Sequence, residues 1–181
     1  MSQIVRIRIP GEPRAQGRGR AVAFQDRGRW TARVHLDNED IKWRKRAQVW
    51  ILQGLLEAEM DEPGFVGPVA VRIKSYFELA KSHHRVREPL PRQWKQTKPD
   101  GDNVEKAVLD ACNGLAWVDD VQVVKMEWTR LMAAQGEAPR LEIEIEALTV
   151  DPSGKPLERE KNLFAAPSCL TPLDDDALRD K

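Results

Sequence analysis

The chain has 181 residues, 41% of them hydrophobic and 32% charged, with 29 Lys/Arg balanced by 29 Asp/Glu. That length fits a single core-forming domain, and no run of about 18 apolar residues is present to cross a membrane as a helix. Two cysteines, Cys112 and Cys169, are too few for a disulfide framework or a zinc cluster, and without a signal-peptide pattern at the N-terminus they fit a reducing cytoplasm.

Residues 3–9 alternate apolar and basic side chains, the pattern of a half-buried strand, and Pro10, Gly11 and Pro13 stop it. Residues 14–20 form a loop rich in glycine and arginine. It reads either as a set of guanidinium groups for phosphates, carried by Arg14, Arg18 and Arg20, or as a plain flexible connection. Asn38 is placed to cap a helix reaching about Glu59. Ile41, Ala47, Ile51 and Leu55 are among its apolar positions, and Lys42, Arg44, Lys45 and Arg46 form a basic cluster. Residues 1–50 hold 12 Lys/Arg against 5 Asp/Glu, whereas residues 131–181 hold 6 against 11. The basic first part is either an electrostatic footprint for phosphates or a set of solvated faces.

A Pro- and Gly-containing loop over residues 61–68 leads to a strand at 69–79, expected in the centre of the sheet. Residues 80–99 form a long polar loop, in which the adjacent His83 and His84 read as loop residues and not as ligands. A helix follows over residues 103–113, burying Val104, Ala107, Val108 and Ala111 at spacings of three and four, with Gly114 ending it. Two more strands follow, at 121–129 and 140–148. The pattern predicts an α/β (α+β) domain over residues 1–150: a small mixed sheet of about four strands packed with two or more helices. Residues 151–181 read as a C-terminal extension of weak order.

Chemistry concentrates between Lys98 and Gln122, which holds aspartates at 100, 102, 110, 119 and 120. Asp100 and Asp102 lie at the start of the helix, and if the backbone is extended there both carboxylates point the same way. A helix-and-turn return is expected to bring Asp119 or Asp120 back to them. Clustered carboxylates repel one another, and a hard divalent cation such as Mg²⁺ or Mn²⁺ relieves that repulsion. Lys106 lies one helical turn after Asp102 and is placed to offset charge developing on a phosphate. Asp110, a further turn on, reads as a structural residue that holds Lys106. An EF-hand reading of the segment fails, because Val104, Glu105 and Ala111 occupy positions that need a ligand, a glycine and a glutamate. Helix capping by Asp100 or Asp102 is the plainer alternative.

Lys98-Pro99-Asp100, Asp102-Asn103, Lys106, Asp110-Ala111, Asn113-Gly114, Trp117, Asp119-Asp120 and Gln122-Val123 resemble the signature of the RusA family of Holliday junction resolvases, small endonucleases of bacteria and their phages. A looser likeness runs over roughly the first 150 residues. The resemblance implies a cytoplasmic homodimer that cuts four-way DNA junctions by paired nicks in opposed strands, in recombination and repair. It also implies Mg²⁺ as cofactor, with Mn²⁺ as a substitute. Asp100, Asp102 and Asp120 fall on the family's catalytic, metal-binding aspartates and Lys106 on its essential lysine. Arg14, Arg18, Arg20, Lys98 and Arg130 are candidate DNA contacts, Arg130 standing where family members often carry a lysine. Other readings are a junction-binding protein without cleavage, a flap or fork nuclease, and a metal-dependent enzyme of small nucleotides. Gly17 and Gly19 lack the context of a phosphate-binding P-loop, which weighs against the last.

Overall fold

The computed structural model describes residues 3–17, 19–35, 37–60 and 64–148. The extension expected at 151–181 and Arg18 lie outside these residues. Among these residues the chain folds as an α+β domain with a mixed sheet and two α-helices, as the sequence predicts, together with a separate hairpin. Strand β1 (Ile4–Pro10) leads to the hairpin of β2 (Arg20–Asp26) and β3 (Arg29–His35), then helix α1 (Asn38–Glu57). After these come β4 (Val69–Phe77), the two-residue strand β5 (Gln93–Trp94), helix α2 (Gly101–Cys112), β6 (Val123–Met132) and β7 (Arg140–Ala147).

The main sheet has the order β1-β7-β4-β6-β5, with β4 at its centre as expected. Its strands number five where about four were predicted, because β5 is a short edge inside the polar loop. β4 and β6 run parallel, joined through α2, and the other pairs are antiparallel. The hairpin of β2 and β3 escaped the sequence reading. Its residues 21–33 are all exposed except the half-buried Phe24, so it lacks the alternating pattern that marks a strand packed on a core.

Alternation along β1, β4 and β7 gives the sheet two unlike faces. Val5, Ile7 and Ile9 meet Ile145, Ile143 and Leu141, which in turn meet Val71, Ile73 and Ser75. These rows, with Trp43, Ala47, Ile51 and Leu55 of α1 and Val108 and Ala111 of α2, make one core. Along the opposite face a row of alternating charge crosses four strands. Arg6 pairs with Glu144 at 2.7 Å, Glu144 with Arg72 at 2.8 Å, and Arg72 with Glu127 at 3.3 Å. Cross-strand pairs of this kind each contribute some tenths of a kcal/mol.

Two details of this frame bear on the segment rich in aspartate. The rows continue onto β6, where Trp128 stands beside Ile73 and Arg130 beside Ser75. Gly101, the first residue of α2, lies directly on the Trp128 ring: a Cβ there would sit 1.6 Å from a ring carbon. Only a glycine lets the helix start this close to the sheet. In the connection between β6 and β7, Glu137 accepts hydrogen bonds from Arg92, Arg140 and the Ala134 N–H. The Arg92 hydrogen bond, followed by those from Ala134 and Arg140, pulls its carboxyl down to about 2.

Gly101→Ala is expected to destabilise the fold by about 1–3 kcal/mol through overpacking. Urea unfolding measures this, and Trp128→Leu in the same chain should recover part of the loss; strictly additive effects would show that the ring is not the obstacle. Glu137→Gln should cost about 2 kcal/mol at pH 7. Because the folded pKa is depressed, that stabilisation is complete above the ordinary carboxylate pKa and fades as pH falls toward 2. The gap between wild type and variant should therefore narrow between pH 5 and pH 3.

Candidate active site

The segment Lys98 to Gln122 folds as an approach, a helix and a return. Lys95 to Pro99 crosses the end of β6, where the Arg130 guanidinium donates to the carbonyls of Thr97 and Pro99. The Lys98–Pro99 peptide is cis. From the other side, the Gln16 N–H donates to the Asn103 carbonyl at 2.9 Å, so the basic loop after β1 also touches the start of α2. Asp100 is the N-cap residue of α2 and Asp102 lies in its first turn. The helix thus begins earlier than the sequence suggested. The expected reason for the two carboxylates to converge, an extended backbone through both residues, is replaced by a cap and a first helical turn.

Capping does not occupy these side chains. Asp100 has the extended backbone of an N-cap yet makes no side-chain cap hydrogen bond. Asp119, by contrast, caps the short 3₁₀ turn at Asp120–Gln122 and exchanges hydrogen bonds with Gln122 in a capping box. No hydrogen bond or ion pair from the described residues reaches the exposed Asp100, Asp102 or Lys106 side chains. Two hard carboxylate donors at a helix N-terminus, free of protein partners, suit a divalent cation in charge and chemistry.

Asp120 lies elsewhere. Its carboxylate accepts the Trp117 indole N–H at 2.8 Å. Trp117 is buried beside Phe65 and Asn113, at the C-terminal end of α2. Burial, and then the charge of Asp120, push the Cys112 thiol far above its usual range, so that thiol stays protonated. The ten steps from Asp102 to Cys112 span about 15 Å of helix. The return toward Asp100 and Asp102 expected from the sequence does not close within one chain. Among the described residues no three His, Cys, Asp or Glu side chains converge to hold a metal. Asp110 makes no ion pair with Lys106; it lines a small cavity between α1 and α2 with Gln16, Trp43 and Arg44.

The expected DNA contacts divide. Arg14 is held by Asp37 and Asp40 at the start of α1, and Arg130 secures the approach to Asp100. Lys98 is exposed; the Arg20 side chain lies outside what is described. Lys95 escaped the sequence reading. Burial and then the neighbouring Arg130 lower its pKa, and its ammonium lies 3.1 Å from the Thr97 hydroxyl beside the same approach. Only its tertiary placement gives it away. Trp117, which supports Asp120, stands within the family signature, whereas Trp128 under Gly101 carries no sequence signal beyond being a tryptophan near the motif.

The chain is 30% identical over 147 residues to the uncharacterized protein YqaN of Bacillus subtilis (strain 168), covering 78% of this chain and 94% of that protein. The family pattern described as endodeoxyribonuclease RusA matches residues 10–146, from the end of β1 into β7 and across the whole segment from Lys98 to Gln122. The chain belongs to the RusA family of endodeoxyribonucleases.

Proposed function

We propose that this endodeoxyribonuclease resolves four-way DNA junctions as a Mg²⁺-dependent homodimer, by paired nicks in opposed strands, in the recombination and repair of a bacterium or its phage. Membership of the family supports nuclease action on branched DNA and dependence on a divalent metal. The observation that carries the reading is the pair of unpartnered carboxylates, Asp100 and Asp102, at the tethered start of α2.

Asp100 and Asp102 would hold the cation; the resemblance to the family makes Asp120 the third ligand, although in this chain it stands at the other end of α2. A bound Mg²⁺ supplies Lewis-acid charge beside the scissile phosphate. Lys106, one turn along α2 from Asp102, places an ammonium on the same stripe to offset negative charge growing on the phosphate oxygens. Arg130 acts as a positioning residue, since its guanidinium fixes the carbonyls that precede Asp100. Lys98, exposed next to that point, meets the phosphate backbone.

The hairpin of β2 and β3 supplies a further grip. It carries Arg27 and Arg29 at its turn, Arg33 over the Phe24 ring at 5.0 Å, and Trp30 with 76% of its surface exposed. A lone two-stranded hairpin is marginal in water. Guanidinium groups on such an arm suit the phosphates of a duplex leaving the junction, read by shape more than by sequence.

The first test is cleavage of labelled four-way, forked and linear duplex DNA by wild type and Asp102→Asn, with Mg²⁺ or EDTA. Paired nicks across the four-way junction are expected, abolished by EDTA and by the substitution. Binding without a cut would refute nuclease action on this substrate, and preference for forks would refute the junction assignment. Lys106→Ala should slow cleavage by about 10²-fold or more while leaving junction affinity nearly unchanged. Replacing Arg27, Arg29 and Arg33 together by Ala should weaken junction binding. It should also flatten the dependence of log affinity on log salt by about 0.9 for each phosphate that is no longer neutralised; an unchanged slope would remove the hairpin from the DNA interface.

A further inference from the structure

The hairpin of β2 and β3 closes on Arg27 and Gly28, whose φ angles are 46° and 79°. Two positive φ values make a tight turn whose first position favours Asn, Asp or Gly. An arginine is uncommon there, and it leaves a guanidinium at the tip. The tip stands clear of the rest of the chain, since a Cβ added at Gly28 would meet no atom within 4 Å. Among the described residues neither Arg27 nor Arg29 makes an ion pair or a hydrogen bond. Residues 20–35 hold four arginines against Asp26 alone, so the arm attracts polyanions.

Alternation sorts the side chains of the hairpin onto two faces. Phe24, Thr31 and Arg33 share one, where the Arg33 guanidinium covers the half-buried Phe24 ring at 5.0 Å. Trp30 is on the other face, opposite Gln25, and the next pair toward the stem is Ala23 and Ala32. Those alanines are exposed themselves and too short to cover an indole. Trp30 is thus 76% exposed, more than any other tryptophan of the chain. It makes no hydrogen bond or ring contact among the described residues. A ligand that suits both the ring and the cations beside it presents a flat apolar surface next to negative charge, as a nucleotide does.

We propose that Trp30 stacks on a base exposed where the arms of the junction meet, with Arg27 and Arg29 on the phosphates beside it, so that the indole selects branched over linear DNA. This stacking role rests on the reading of the chain as a junction nuclease. In a continuous duplex the neighbouring pairs cover both faces of each base. At a branch point the stack is interrupted and a face is free. Every base has such a face, so the selection is for shape and not for sequence. The stem of the hairpin follows Gln16, whose N–H is bound to the carbonyl of Asn103, next to Asp102. From Arg20 to Asp26 the strand covers about 20 Å, the length of about six base-pair steps. Trp30 can therefore reach a branch point close to the strand offered to Asp100 and Asp102.

Affinity for a four-way junction and for a linear duplex of the same sequence is measured with EDTA present, at matched salt, for wild type, Trp30→Thr and Trp30→Phe. Threonine suits a strand and removes the ring, whereas phenylalanine keeps a smaller one. Trp30→Thr is expected to lose about tenfold or more in junction affinity. It should bind linear duplex as wild type does and keep the slope of log affinity against log salt, because no phosphate contact is lost. Trp30→Phe should recover part of the loss. A 5-bromouracil at the branch point should cross-link to Trp30 of the wild-type chain on irradiation, as located by mass spectrometry, while the same base in the middle of an arm should not. The cross-link tests the contact without any substitution.

Equal losses on junction and duplex, with cross-links from both positions, overturn the proposal, because the indole then grips any DNA. An undiminished junction preference in Trp30→Thr, with no cross-link at Trp30, overturns it as well and leaves the ring to a protein partner. The junction reading survives both results. A wild-type chain that binds the junction no better than the duplex overturns the junction reading, and the stacking role with it.

Discussion

Much of this molecule turns on the contact between Gly101 and Trp128. A helix that must begin in contact with an indole ring cannot carry a side chain at its first residue, and here it carries none. That contact fixes the height and direction of α2 over the sheet, and with them the positions of Asp100, Asp102 and Lys106. Arg130, one inward-facing position further along β6, tethers the preceding loop through two carbonyls. The exposed acidic pair therefore does not rest on a mobile loop tip. It is set on a strand near the centre of the sheet by one close approach and one guanidinium.

The sheet divides labour between its faces. One is closed by α1 and α2 over a single apolar core. The other has exchanged burial for rows of alternating charge, in which Arg72 bridges glutamates on both neighbouring strands. Such a face needs no covering layer, which lets a chain of this size build one core and still present its functional groups around the helices. The hairpin of β2 and β3 stands outside this economy: its described side chains bury almost nothing.

How much of this could be read from the amino acids follows the physics of each element. The four long strands of the sheet and both helices announce themselves, because alternation and spacings of three and four are imposed by a core on one side. Even the central place of β4 is legible in its apolar run. Boundaries shift where a cap is local chemistry: Asp37, not Asn38, caps α1, accepting the Glu39 N–H at 2.8 Å. The hairpin stays hidden because exposed strands carry no period, and β5 because two residues cannot show one. At the site, residue types and order are legible while distance is not. Nothing in Asp119-Asp120 tells that one caps a turn and the other is held by Trp117 far from the first pair. Arg14 and Arg130 look like free cations in sequence and are occupied in the fold.

The ends of the sheet have a consequence of their own. An unpaired strand edge invites a neighbour to add to it, which is the common route from β-structure to aggregates. Here β1 offers Arg6 and Arg8 on its outward face and finishes on Pro10, which has no N–H to donate. At the other edge β5 is two residues long, in a loop that holds Pro89, Pro91 and Pro99. The β1 border is a poor template for a further strand, whereas β5 covers only Leu131 and Met132 of β6 at the other border. Growth of the sheet into a fibril is thereby discouraged from the β1 side.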